Sequence, residues 1–185
     1  RRKERSELDM LRLPPFDHHS PTSLDEATSL LADLAQKEQS AQVIAGGTDL
    51  VPNMKHEITT PQHLVSLRKI KLDGINIKGD SMHIGPMTTL HKIAQNPHVA
   101  LHFPALAEAC ARIAGPQLRR MGTLGGNLCL DTRCLYIDQS HFWRSALGFC
   151  LNKDGSACHV VAGGKRCVAA ASNDFGRNKA MDGPS

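Results

Sequence analysis

Six cysteines mark this chain, and four of them, Cys134, Cys150, Cys158 and Cys167, crowd into its last third. Thiolates are soft ligands, and four together are the donor set of structural zinc sites and of iron–sulfur clusters. The successive spacings of 16, 8 and 9 residues contain no C-x-x-C pair, so neither a zinc ribbon nor a bacterial ferredoxin motif is indicated. A four-thiolate site can still assemble from dispersed cysteines when a loop folds round it. Gly148, Gly155, Gly163 and Gly164 supply turns, and Phe142, Trp143 and Phe149 can shield such a centre from solvent. Lys153, Lys165 and Arg166 offset thiolate charge. Residue types alone leave scattered thiols and a zinc site open beside an iron–sulfur centre.

Two glycine turns come earlier. In Ile44-Ala-Gly-Gly-Thr-Asp-Leu50 a strand runs into paired glycines, which lets the backbone turn sharply and leaves N–H groups unshielded. Such a nest, with a short helix just after it, attracts phosphate. Thr48 and Asp49 add a hydroxyl and a carboxylate, as contacts or as caps of the turn. The motif lacks the G-x-G-x-x-G of a Rossmann fold and the Gly-Lys-Ser/Thr of a P-loop. Gly122-Thr-Leu-Gly-Gly-Asn-Leu128 repeats the chemistry. The segment Ile113–Met121 before it reads as a loop with two cations, Arg119 and Arg120, able to meet either phosphate or water. Two cradles on one chain fit a dinucleotide whose pyrophosphate is gripped from both sides.

Short elements must position these groups. Ser23-Leu-Asp-Glu26 has the capping-box form, and Leu24, Ala27, Leu30, Leu31 and Leu34 follow at helical spacing. Gln42–Ala45 and His63–Leu67 read as strands, and Gly74–Lys78 with Ser81–Gly85 as a hairpin about Gly79-Asp80. Thr88-Thr89 caps a helix carrying Leu90, Ile93 and Ala94. Pro104 opens another, with Leu106, Cys110 and Ile113 on its inner face and Cys110 as a core thiol.

The 185 residues suffice for one ordinary domain or two small lobes, and 41% hydrophobic with 22% charged residues is a globular composition. A net charge of +4 with 4% aromatics argues against nucleic acid as a partner. No apolar run reaches membrane-spanning length, and no apolar leader is seen, so no membrane partner and a reducing, cytoplasmic setting are expected. The ends, Arg1–Arg12 and Asn173–Ser185, read as an extension and a frayed or non-native tail of a fragment.

At the glycine turns the chain resembles the FAD-binding subunits of the molybdenum hydroxylase (xanthine dehydrogenase) family. The matching segments are Leu13–Phe16, Ile44–Lys55, Ile84–Leu90 and Met121–Leu128, and the resemblance covers residues 13–172. It implies an α+β, two-lobed FAD-binding fold of the vanillyl-alcohol oxidase and molybdopterin dehydrogenase type, here truncated. The first lobe is expected over 13–73 and the start of the second over 74–128. The implied FAD contacts are Ala45, Gly46, Gly47, Thr48 and Asp49 on one turn, and Thr123, Gly125, Gly126 and Asn127 on the other.

The block from Asn127-Leu-Cys-Leu-Asp-Thr-Arg-Cys134 through Phe142-Trp-Arg144, Gly148–Lys153, Cys158-His159 and Arg166-Cys167 looks like the β subunits of the 4-hydroxybenzoyl-CoA reductase branch. That branch carries a [4Fe–4S] loop insertion, which places the loop over 129–172 and its ligands at Cys134, Cys150, Cys158 and Cys167. Cys129 is left unassigned, and His159 reads as exposed or as a neighbour behind a ligand. Where the family continues with a Ser-Asp-x-Ala-Pro segment, this chain has Ser172-Asn173-Asp174-Phe175.

The resemblance implies an electron-transfer flavoprotein subunit linking the [4Fe–4S] cluster, FAD and centres on partner chains. Those partners would be a molybdenum-cofactor subunit, a [2Fe–2S] subunit and a ferredoxin-type donor. The implied reaction is reductive dehydroxylation of 4-hydroxybenzoyl-CoA, with no catalytic acid, base or nucleophile on this chain. Two alternatives stand beside it. One is a FAD subunit of another molybdenum hydroxylase, acting on an aldehyde, a purine or an aromatic-CoA, without a cluster here. The other is a zinc-stabilised, non-enzymatic binding module.

Overall fold

A computed structural model of the chain describes residues 12–171. All but Arg12 of the expected extension, the tail over 173–185 with Asp174, and Ser172 lie outside the described residues. The chain divides into two compact units. One runs to Lys55 and resumes over Thr59–Cys129; the other takes His56–Ile58 and the chain from Leu130 on.

In the first unit a three-stranded parallel sheet has the order β1-β3-β2, formed by β1 (Asp17–His19), β2 (Ala41–Ile44) and β3 (His63–Ser66). Parallel neighbours need crossovers, and α1 (Leu24–Gln36) and α2 (Leu50–Lys55) lie in them. The central strand β3 is buried at all four residues. The helix α1 starts where the box predicts: the Glu26 amide donates to the Ser23 hydroxyl at 3.1 Å. The Glu26 carboxylate, however, reaches back one residue further than a capping box requires, accepting from the Thr22 amide at 2.7 Å and its hydroxyl at 3.1 Å. Ala27 and Leu34 face inward from α1, and Ala27 packs with Val65 and Ile70. Leu24, expected on that face, is half exposed because it sits in the first turn, ahead of the sheet contact.

A second apolar cluster joins Leu90, Ile93, Val99, Ala107 and Cys110. Leu90 and Ile93 belong to α3 (Leu90–Ala94), whose cap is Thr89, accepting from the Lys92 amide. Val99 comes from α4 (Pro97–His102), which periodicity alone did not reveal. Asn96 caps it by accepting from the amides of His98 and Val99, and Pro97 fits its first turn. Ala107 and Cys110 come from α5 (Pro104–Arg112). Burial pushes the Cys110 thiol pKa up, as befits a core side chain.

The hairpin β4 (Ile75–Lys78) and β5 (Ser81–Ile84) turns at Gly79-Asp80, with Gly79 at φ +57°. Beyond it the chain folds back on itself. The fully buried Thr88 hydroxyl accepts from the Gly74 amide at 2.9 Å and donates to the Gly74 carbonyl at 3.0 Å. Among the described residues no helix is long and apolar enough to cross a membrane.

Thr88→Val keeps the shape but strands the Gly74 amide inside the protein. Urea unfolding should show a loss of about 1–3 kcal/mol with an unchanged slope; a loss near zero would mean that the amide finds another acceptor.

Candidate functional site

The two glycine turns meet through their backbones. A Cβ placed on Gly46 would lie 2.0 Å from the Met121 carbonyl oxygen and 3.2 Å from the Gly122 Cα. Only a residue without a side chain allows this approach. Thr48 stands over Gly122, and Ala45 lies against Gly126. The Ile84–Leu90 segment ties the second turn in place: the Gly125 amide donates to the Pro86 carbonyl at 2.8 Å, and Leu124 donates to Thr88 at 2.9 Å. Leu90 in turn donates to the Gly122 carbonyl at 3.0 Å. Pro86, Thr88, Met121 and Gly122 are therefore part of the site's frame; the sequence marks the segments that contain them, and Thr88 only as a cap.

The turns differ in what they leave available. Among the described residues the amides of Gly46, Gly47 and Thr48 have no acceptor, so the first turn keeps the nest expected of it. Gly47 sits at φ +70°, the left-handed conformation such a nest uses. Asp49 accepts from the Asn53 side chain at 3.1 Å. The second turn departs from the expectation of a matching nest. It is the short helix α7 (Leu124–Leu128), capped by Thr123, whose hydroxyl accepts from the Gly126 amide at 3.1 Å. The amides of Leu124, Gly125 and Asn127 are also spent inside the protein. What this turn offers a ligand is the open backbone face of Gly126 and the Asn127 side chain.

The two-cation loop is likewise different: Pro116–Met121 is a helix, α6. Arg119 is turned inward, donating to the carbonyls of Ile113 at 3.0 Å and Ala114 at 2.6 Å. This clamps a backbone that carries Ala114 at φ +48° and commits one end of the guanidinium to it. Arg120 lies exposed.

The second unit places all four expected ligands round one open cavity of about 280 Å³. Cys134, Cys150, Cys158 and Cys167 line it with Tyr136, Ile137 and His159 among others. None of the six cysteines is in a disulfide. Cys134 precedes a turn in which its own amide donates to Asp138 at 3.1 Å. Cys150 is buried in a tight turn closed by the Lys153 and Gly155 amides, both donating to its carbonyl. The amides of Val161, Val160 and Val168 beside the Cys158 sulfur hold its pKa below the ordinary thiol range. The Cys167 sulfur accepts from the Ala170 amide at 3.4 Å, at the start of α9 (Val168–Ala171). N–H groups directed at sulfur favour the thiolate over the thiol.

Among the described residues no three His, Cys, Asp or Glu side chains are close enough to hold a single metal ion. The aromatic shield also differs from expectation. Phe142, on α8 (His141–Ala146), is 82% exposed, and Tyr136 rather than Trp143 lines the cavity. His159 is exposed; its imidazole meets the Phe149 carbonyl at 2.5 Å and stacks near Tyr136.

Residues 14–135 match the family described as the FAD binding domain in molybdopterin dehydrogenase. The chain belongs to this family. The match takes in both glycine turns and ends one residue past Cys134. The carbon monoxide dehydrogenase medium chain of Afipia carboxidovorans is 43% identical over 113 residues, 60% of this chain and 38% of that one. The nicotinate dehydrogenase FAD-subunit of Eubacterium barkeri is 35% identical over 61% of this chain and 38% of its own length. Among solved structures, quinoline 2-oxidoreductase from Pseudomonas putida 86 aligns with a TM-score of 0.58 at 34% identity, over 63% of this chain and 40% of that one. A cyanide-inactivated Cu,Mo-CO dehydrogenase aligns with the same score and coverage at 41% identity. The chain thus spans about 38–40% of the length of these relatives. The α+β FAD-binding fold of the family is the fold of this chain.

Gly46→Ala forces the two turns apart. We expect at least about tenfold weaker FAD binding, by flavin fluorescence quenching, with an overpacking loss of about 1–3 kcal/mol. Unaltered binding would show that the Gly46–Met121 approach is not needed for the ligand.

Alkylation of the metal-free chain should distinguish its thiols by pH, since the thiolate is the nucleophile. Cys158, with its lowered pKa, keeps its full rate to a pH below the ordinary thiol range. Cys110, raised by burial, stays unreactive there, and in urea the two converge. Identical folded-state profiles, mapped by peptide mass spectrometry, would contradict the directed amides.

Proposed function

We propose that this chain belongs to the FAD-binding subunit of a molybdenum-containing oxidoreductase, with a [4Fe–4S] cluster held by Cys134, Cys150, Cys158 and Cys167. The observation that carries the cluster is the convergence of four dispersed cysteines on one cavity. A four-iron cube takes one thiolate at each corner, which suits four cysteines dispersed round an open cavity. The unit's own packing points the same way. From Leu130 to Ala170 only Ile137, Arg144 and Cys150 are buried. So small a core, without a disulfide, calls for a metal staple.

Flavin bound at the glycine turns supplies exchange between one- and two-electron steps, and a bound cluster supplies single electrons. The chain's own work is to hold and insulate these groups. Gly46, Gly47 and Thr48 present unspent amides to the pyrophosphate, Gly126 lets it approach, and Asp49, Thr123, Gly125 and Asn127 shape the turns. At Cys158, directed amides stabilise the thiolate, and hydrogen bonds to the sulfurs would tune the reduction potential of a bound cluster.

The whole enzyme follows from likeness in the cysteine block. We infer reductive dehydroxylation of 4-hydroxybenzoyl-CoA, with a molybdenum-cofactor subunit, a [2Fe–2S] subunit and a ferredoxin-type donor as partners. The subunit and chain designations of the relatives support a multi-subunit assembly.

Anaerobic co-expression with partner subunits, followed by iron, sulfide, zinc and flavin assays, tests this reading. About four irons and four sulfides per chain are expected, and Cys150→Ser should lose them. Flavin without iron would favour a cluster-free member of the family, and zinc without flavin the binding module.

A further inference from the structure

Arg144 is a buried cation in a small unit that has almost no core. Its side chain is only 6% exposed, and its Nε has no partner among the described residues. Filling that space with a guanidinium and leaving a donor unspent is costly; a Leu or Met of similar size would avoid both penalties. Its side-chain contacts, with one from its carbonyl, converge on one turn. Its Nη2 donates to the Asp154 carboxylate at 2.6 Å, its guanidinium lies 5.3 Å from the centre of the Phe149 ring, and its carbonyl accepts from the Phe149 amide at 2.8 Å.

Phe149 and Asp154 are also the residues that bracket Cys150 in the least comfortable backbone. Phe149 has φ +60° and Asp154 has φ +67°, a conformation that is rare for non-glycine residues and especially so for a bulky one. Cys150 itself bridges to both Lys153 and Asp154. A turn strained at the bulky residue beside its cysteine relaxes unless something holds its two ends. Arg144 touches both.

We propose that Arg144 is the positioning residue for Cys150, clamping the Phe149–Asp154 turn so that this thiol faces the shared cavity. The inference rests on the reading of the four cysteines as ligands of one centre, but the clamp itself can be tested without metal. The planar guanidinium is well shaped for such a clamp, because it stacks on Phe149 while its edge pairs with Asp154. A lysine ammonium cannot engage both at once.

The test uses the full chain in its metal-free form, with maleimide labelling rates read cysteine by cysteine by mass spectrometry. Arg144→Gln and Asp154→Asn should each raise the Cys150 rate about tenfold relative to Cys134 and Cys158, the loss expected from one charge-assisted hydrogen bond. Asp154 is 62% exposed and Asn tolerates the same φ, so this variant folds even if the buried one does not. Arg144→Lys should restore part of the protection. An unchanged Cys150 ratio in Asp154→Asn, or a uniform rise at all cysteines, overturns the proposal. The iron and sulfide content of the unmodified chain reports separately on the ligand reading, so a failed clamp and a failed cluster cannot be confused.

Discussion

The structure of the first unit depends on one steric constraint: the backbone at Gly46 lies directly on the Met121 carbonyl. From that contact a series of backbone hydrogen bonds runs inward. Gly122 accepts from Leu90, Thr88 accepts from Leu124, Pro86 accepts from Gly125, and Thr88 closes on Gly74 through its hydroxyl. The glycines at these approaches are needed for their lack of volume. A Cβ on Gly85 would meet the Leu72 carbonyl at 2.3 Å, and one on Gly125 would meet Pro86 at 2.7 Å. Neither Gly46, Gly85 nor Gly125 has a positive φ. Gly47 is of the other kind, with a left-handed backbone that faces its amide outward.

The second unit is built on a different principle. Among the described residues it has few apolar side chains inside, and its order comes from turns, N–H groups directed at sulfur and a buried arginine paired with an exposed aspartate. Phe142, Leu135 and Val160 stand exposed where a larger domain would cover them. With so little apolar surface removed from water, the unit gains little from the hydrophobic effect. Under the proposed reading, four thiolate–iron bonds replace that missing core, and folding of the block is coupled to acquisition of its metal.

Much of the first unit is legible in the sequence because its signals are local. The Ser23 cap, the Gly79-Asp80 hairpin and the Thr89 cap each encode a dihedral or a single hydrogen bond within a few residues. Cys110 is legible as core because its neighbours repeat at helical spacing. What escapes depends on partners remote in sequence. Nothing in Thr123–Asn127 shows that its amides are already committed to Pro86, Thr88 and Thr123, so the turn reads as a second nest. Nothing in Arg119 shows that the Ala114 backbone needs its guanidinium more than a phosphate does. The helix α6 stays hidden because six residues with paired arginines give no clear apolar face. Arg144 is inconspicuous for a related reason: a lone arginine between aromatic residues looks solvated until its burial is known.

The two sites therefore stand at different stages of readiness. The glycine turns are held by contacts that exist whether or not a ligand is present, so binding there costs little reordering and selects for shape. The cysteine turn at Cys150 has two left-handed residues, the bulky Phe149 the more unfavourable, and one ion pair to hold them, with its Asp154 end in solvent. A strained turn of this kind persists only when its surroundings over-determine it. In the metal-free chain those surroundings are one guanidinium and a few amides; thiolate bonds from the other three cysteines would complete them. Strain at Cys150 then becomes tolerable because it is shared. The ligand hardest to place in the free chain is the one that most needs the other three.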